Sequence, residues 1–189
     1  MFVRSPARRT FLKLSLAGML GLYGLSGTAR AGEEDSLVQP IPPGELTLYN
    51  THTDERLTVA FRDSAGAYDL SALGALNHLL RCHYTNEQTD MDVCTLEYLN
   101  QLDKELGGGH EIHIISGYRS PRYNELLISK GHRVARHSLH LSGRAIDVAF
   151  PSVNLPEVRR AALGLRRGGV GYYPGDGFVH LDSGSYRSW

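Results

Sequence analysis

Three residues of this chain have the types and placement to hold a metal ion. Within Ser138-Leu-His140-Leu-Ser-Gly143-Arg-Ala145-Ile-Asp147, His140 offers an imidazole and Asp147 a carboxylate, and Val179-His180-Leu-Asp182 supplies a second imidazole from an apolar strand. Two nitrogens and one oxygen suit Zn²⁺. A catalytic zinc site has three protein ligands and an open fourth position, whereas a structural site is closed by four ligands, usually rich in cysteine. The set therefore reads as catalytic. Gly143 lets the backbone turn sharply between the first two ligands, and Ala145 leaves space near the metal. Ala145 and Asp147 share one strand face, as do His180 and Asp182, because i and i+2 point the same way in a strand.

The elements that must position these residues can be read in order. Leu46 and Leu48, then Leu57, Val59 and Phe61, alternate with polar residues over 45–50 and 56–61, which predicts a hairpin with His52 in its solvated turn. Asp69 can cap a helix to about Arg81 with Leu70, Leu73, Leu76 and Leu80 on one stripe, and a second helix runs from about Asp92 to Leu106, stopped by Gly107-Gly-Gly109. A buried strand over Glu111–Ile115 leads to Ser116-Gly-Tyr118-Arg119-Ser120-Pro121, and Pro121 opens a helix to Lys130. Leu155–Arg167 reads as another helix. Val170–Tyr173 and Phe178–Asp182 read as closing strands. His110-Glu-Ile-His113 looks like a zincin box but fails it, since its histidines are three apart in a β-branched run and point to opposite faces. His132 and His137 flank the metal stretch but lack a position in the pattern, so they read as rim groups or as supports of a ligand rather than as ligands.

A His with an Asp seven residues later means little by spacing alone. However, Ser138, His140, Gly143, Ala145 and Asp147 match all five fixed positions of the SxHxxGxAxD signature, and His180-x-Asp182 completes it. The chain therefore resembles the LAS metallopeptidases, the group of D-Ala-D-Ala metallopeptidases, lysostaphin-type enzymes and the hedgehog fold. Its closing hairpin is most similar to the twin-arginine-exported murein endopeptidases among them. The resemblance implies a single α+β domain over 45–189, with a small antiparallel sheet carrying one zinc on His140, Asp147 and His180 and helices packed around it. The implied activity is hydrolysis of peptide cross-links in peptidoglycan, at a bond involving D-centres and diaminopimelate. A D,D-carboxypeptidase, an L-Ala-D-Glu peptidase or a zinc-stabilised cell-wall binding module without turnover are the other members such a scaffold allows.

Residue roles follow from the same resemblance. Gly-Tyr118-Arg119-Ser120 is similar to a family turn whose arginine faces the substrate, so Arg119 would hold or polarise a carbonyl or carboxylate oxygen. Ser138 and Asp176 would support the ligands. The chain departs from the dipeptidase branch, where a carboxylate stands three residues before the last ligand, because that position is Gly177. The remaining general bases are Asp182, on the face of His180, and Asp176, in the preceding loop. Asp182 is the expected one, with orientation of a ligand as its other role.

Composition bounds the rest. The 189 residues are 41% hydrophobic and 21% charged, with zero formal net charge, as for one globular domain. Residues 1–31 hold five Lys/Arg and no Asp/Glu, which leaves 15 basic against 20 acidic residues beyond them. Such a mildly acidic domain has no basic stripe for a phosphate backbone, so nucleic acid is not the expected partner. Arg8-Arg9-Thr-Phe11-Leu12-Lys13, an apolar run too short to span a bilayer, and Ala29-Arg-Ala31 predict a twin-arginine signal cleaved after about Ala31 and a periplasmic product without stable membrane insertion. A polar, proline-rich linker over 32–44 follows. In an oxidising compartment Cys82 and Cys94, the two cysteines, are expected to form a disulfide.

Overall fold

The alternation that predicts the hairpin builds the first two strands, β1 (Gly44–Asn50) and β2 (Glu55–Arg62), with Leu46 and Leu48 buried inward. The computed structural model describes residues 41–132 and 134–189; the expected export signal and all of the linker before Ile41 lie outside them. After the hairpin come α1 (Leu70–Leu79), α2 (Val93–Glu105), β3 (Glu111–Ser116), α3 (Pro121–Ser129), β4 (Ala145–Ala149), α4 (Leu155–Leu165), β5 (Gly169–Tyr173), β6 (Phe178–Asp182) and β7 (Arg187–Ser188). A 3₁₀ turn over Leu139–Ser142 precedes β4. Each helix starts where a side chain satisfies its free N–H groups: Asp69, Asp92, Ser120 and Asn154 are the caps, and proline follows in the first turn of α3 and α4.

The strands form one sheet in the order β2-β1-β3-β4-β6-β5-β7, so the fold is α+β as expected. The sheet is mixed rather than purely antiparallel. β1 and β3 run parallel, as do β5 and β7, and the first pair needs the long α1–α2 crossover between them. Strand β7 was not foreseen, because two exposed residues carry no alternation.

Alternation on β4 and β6 creates two environments. Ile146, Val148, Val179 and Leu181 enter the core with Leu76, Leu96, Leu99 and Val158 from the helices. Ala145, Asp147, His180 and Asp182 therefore lie on the other face. Tyr98 ties α2 to α4 from inside this core, donating its hydroxyl to the Ala162 carbonyl at 2.9 Å. The apolar face of α1 is Ala72, Leu76 and Leu79, continued by Leu80, while Leu70 is 82% exposed, so the stripe is rotated from the leucine spacing read in sequence.

Cys82 and Cys94 are both free thiols, which corrects the expected disulfide. Cys82 is buried, with its Sγ 3.5 Å from the Ser120 hydroxyl at the start of α3. Its backbone closes the following loop on itself, donating to the Glu87 carbonyl and accepting from the Asn86 N–H. Cys94 is exposed in the first turn of α2, its N–H donated to Asp92. The polar loop needs no staple because these local bonds already fix it. No helix among the described residues is long and apolar enough to cross a membrane.

Candidate metal centre

Backbone pairing brings two of the three ligand candidates together. Asp147 on β4 and His180 on β6 are direct register partners, so their side chains leave the sheet side by side. His140 arrives from the 3₁₀ turn. Ser138 caps that turn, accepting the His140 N–H at 3.4 Å, and the Arg119 N–H donates to the His140 carbonyl at 3.1 Å. Gly143 ends the turn in the left-handed region at φ 66°, where its carbonyl accepts from Asp92 and a Cβ would strike the Asp90 carbonyl. His140, Asp147 and His180 are all buried, and one donor atom of each lies within 4.8 Å of the others.

The outer bonds of both imidazoles decide which nitrogen faces inward. His140 Nδ1 lies 2.7 Å from the Gly117 carbonyl, an acceptor only, so Nδ1 carries the proton and Nε2 is a lone pair. His180 Nε2 lies 3.1 Å from Asp182 Oδ2, which leaves its Nδ1 free on the inner side. Those two inward nitrogens are 3.2 Å apart. Asp147 stands 2.8 Å from His180 Nδ1 through Oδ1 and 3.3 Å from His140 Nε2 through Oδ2. Three Lewis bases thus converge on one point, an arrangement that repels itself unless a proton or cation sits among them. The donor set and the hydrogen-bonded backing of each imidazole fit a zinc ion.

The electrostatics agree. Burial would push the Asp147 carboxyl up, but the two imidazoles beside it hold it well below the usual carboxylate range. Burial would lower His180, yet its bonds to Asp147 and Asp182 raise it above the ordinary imidazole value. The centre is thus built to favour a positive charge.

The structure moves Asp182 out of the role expected for it. Asp182 is fully buried behind His180, facing away from the cleft, and its oxygens already meet the N–H groups of Gly169 and Gly184, both Arg187 Nη atoms and His180 Nε2. A carboxylate so engaged has no lone pair for an attacking water. Ala145, buried on the same sheet face, is its register partner across β4 and β6. Asp176 instead is exposed on the β5–β6 turn and lines the cleft.

Two cavities meet at the centre. One, of about 290 Å³, has walls from His137, Ser138, Leu139, Tyr173, Arg187 and Trp189; the other, of about 710 Å³, has walls from His52, His83, Tyr123, His132 and Asp176. Asp147 and Arg119 border both. Arg119 is 7% exposed, its guanidinium makes long contacts to Asn124 (3.4 Å), Ser116 (3.5 Å) and Asp147 (3.6 Å), and its Nε has no partner. His132 and His137 are rim groups as read from sequence. His110 is bonded to Asp103 and His113 to Glu111, so neither takes part. His52 is exposed in its turn as expected, and it also stacks on His83 with ring centroids 3.8 Å apart in the cleft wall. Burial drives His83 down to about 4, so that ring is neutral at ordinary pH. Pairing of residues so distant in sequence left no local signal.

This α+β fold is that of an M15-type peptidase. The chain belongs to the family described as Peptidase_M15_2, Peptidoglycan L,D-endopeptidase MepK, whose model matches residues 40–189. It is 40% identical over 147 residues to the peptidoglycan L,D-endopeptidase MepK of Escherichia coli K12, covering 78% of this chain and 80% of that protein. The same identity and coverage hold for the Shigella flexneri protein of that name. The probable peptidoglycan L,D-endopeptidase MepK of Haemophilus influenzae is 36% identical over 178 residues, 93% of this chain and 92% of its own.

Proposed function

We propose that this protein is an exported, zinc-dependent peptidoglycan endopeptidase that cuts a peptide cross-link at a bond between an L- and a D-centre. The observation that carries the endopeptidase reading is the pair of cavities meeting at Asp147 and Arg119. An endopeptidase must hold chain on both sides of the scissile bond, whereas a carboxypeptidase needs room for a long segment on one side alone. The names of the relatives support the choice of bond.

His140 Nε2, an Asp147 oxygen and His180 Nδ1 would hold the zinc. When bound there, zinc supplies a Lewis acid that lowers the pKa of a coordinated water to about 7 and polarises a carbonyl. The chain supplies the rest. Arg119 directs a guanidinium with weakly engaged donors at the junction of the cavities, where it binds a carbonyl or carboxylate oxygen of the peptide and steadies charge that grows on it. Asp176 is, among the described residues, the one carboxylate lining the cleft that is not a ligand, and its Oδ atoms take the proton of the attacking water. Ser138 acts through the backbone, holding the turn that presents His140. Export follows from the Arg8-Arg9 signal and cleavage near Ala31, which delivers the domain to the periplasm; the twin-arginine machinery is the partner this implies.

Purified cross-linked muropeptides, incubated with the protein and analysed by mass spectrometry, test the reading. Dimers should be split between an L- and a D-centre with zinc present and stay intact after chelation. Intact dimers with zinc, together with sedimentation of the protein on sacculi, would replace the enzyme by a cell-wall binding module.

A further inference from the structure

Arg187, on the last short strand, reaches the metal centre from behind across an intervening strand. Gly169 on β5 pairs with Asp182 on one side and with Arg187 on the other. Having no side chain, Gly169 leaves the gap through which the Arg187 guanidinium crosses to Asp182, and a Cβ there would collide with both groups. Arg187 Nη2 donates to Asp182 Oδ2 at 2.6 Å and Nη1 to Oδ1 at 3.0 Å, a two-pronged pairing. Two residues on, the pattern repeats: Gly171 pairs with His180, and its missing Cβ makes space for Trp189, whose ring centroid lies 5.3 Å from that of His180. Trp189 is itself fixed by donation from Nε1 to the Tyr173 hydroxyl at 2.8 Å and by Arg187 lying over its ring. An Arg-x-Trp pair thus overlies a Gly-x-Gly pair to brace His180 and Asp182.

We propose that Arg187 is a positioning residue of the metal centre, holding Asp182 so that His180 presents Nδ1 to the metal. The inference rests on the zinc reading of His140, Asp147 and His180. Asp182 is wholly buried, and a buried carboxylate needs a counter-charge with good hydrogen-bond geometry to remain ionised in place. Arg187 supplies both. Without it Asp182 has one fewer reason to keep its Oδ2 on His180 Nε2, and the imidazole loses the partner that selects its tautomer and ring orientation. Outer groups that orient a ligand typically carry 10–100-fold of the metal affinity.

Zinc affinity, measured by competition with a chromophoric chelator, tests this without reference to turnover. Arg187→Ala should bind zinc about 10–100-fold more weakly than the wild type. Arg187→Lys, which keeps the charge but not the fork, should fall between. Because Arg187 acts through Asp182, adding Arg187→Ala to Asp182→Asn should cost little more than Asp182→Asn alone. The exposed Arg160→Ala should leave the affinity unchanged. Wild-type affinity in Arg187→Ala, or a loss that adds in full to that of Asp182→Asn, overturns the proposal. If Arg187→Ala does not fold, Arg187→Lys decides in the same way, and wild-type affinity there overturns it. Wild-type protein that binds no zinc overturns the metal reading itself, a result distinct from either.

Discussion

Asp147 and His180 face each other across β4 and β6 as register partners, with the carboxylate Oδ1 2.8 Å from His180 Nδ1, while the opposite edge of the same imidazole rests on Asp182. One histidine thus stands between two carboxylates with different tasks. Asp147 shares the inner side with His140 and borders both cavities, whereas Asp182 is sealed behind, paired with an Arg187 that is itself exposed along the wall of the smaller cavity.

That division separates the two aspartates by experiment. Asp182→Asn should lower zinc affinity about 10–100-fold, with activity falling alongside and partly restored by added zinc. Asp176→Asn should keep its zinc but lose roughly 10²–10⁴-fold in kcat, the usual worth of a general base. The opposite pattern, zinc retained and kcat lost in Asp182→Asn alone, would return the base to Asp182.

The cysteines should be reduced even in protein recovered from an oxidising compartment. Alkylation without prior reduction, followed by intact mass measurement, should label Cys94 quickly and Cys82 only on unfolding, since the first is exposed and the second buried. Protein that takes up no label under denaturing conditions would carry the disulfide after all.

Asp92 joins the start of α2 to the segment after the metal strand, accepting from the Cys94 N–H at 3.0 Å and from the Ser183 hydroxyl at 2.6 Å, with Arg144 nearby. Burial opposes its ionisation, but these bonds hold its carboxyl below the ordinary value. A carboxyl depressed by folding contributes stability that is complete above its unfolded pKa, near 4, and is lost as pH falls through the folded one. Asp92→Ala should therefore destabilise by about 1 kcal/mol at pH 7, as cap removal does. In thermal unfolding the gap to the wild type should narrow below about pH 4; a gap that widens there would contradict the assignment.

Most of the centre was legible because its ligands sit in a motif with fixed spacing and lie on strands whose alternation is plain, from Ala145 to Asp147 and from Phe178 to Asp182. What sequence reasoning missed depends on lateral pairing. The role of Asp182 follows from Arg187 crossing over Gly169, and nothing along the chain announces that β7 lies beside β5. His52 and His83 become one wall of the cleft only because the β1–β2 turn approaches the end of α1. The cysteines misled because oxidising export favours a bridge in general, while the fate of this pair is decided by where each side chain points.

A zinc ion held by His140, Asp147 and His180 underlies every role proposed for the cleft, and zinc content per chain after dialysis tests it most directly. Wild type and His113→Ala should each retain one zinc, while His140→Ala, Asp147→Ala and His180→Ala should retain almost none, because two remaining ligands cannot hold the tetrahedral site. A full equivalent of zinc in the Asp147→Ala or His180→Ala protein, or none in the wild type, would contradict it.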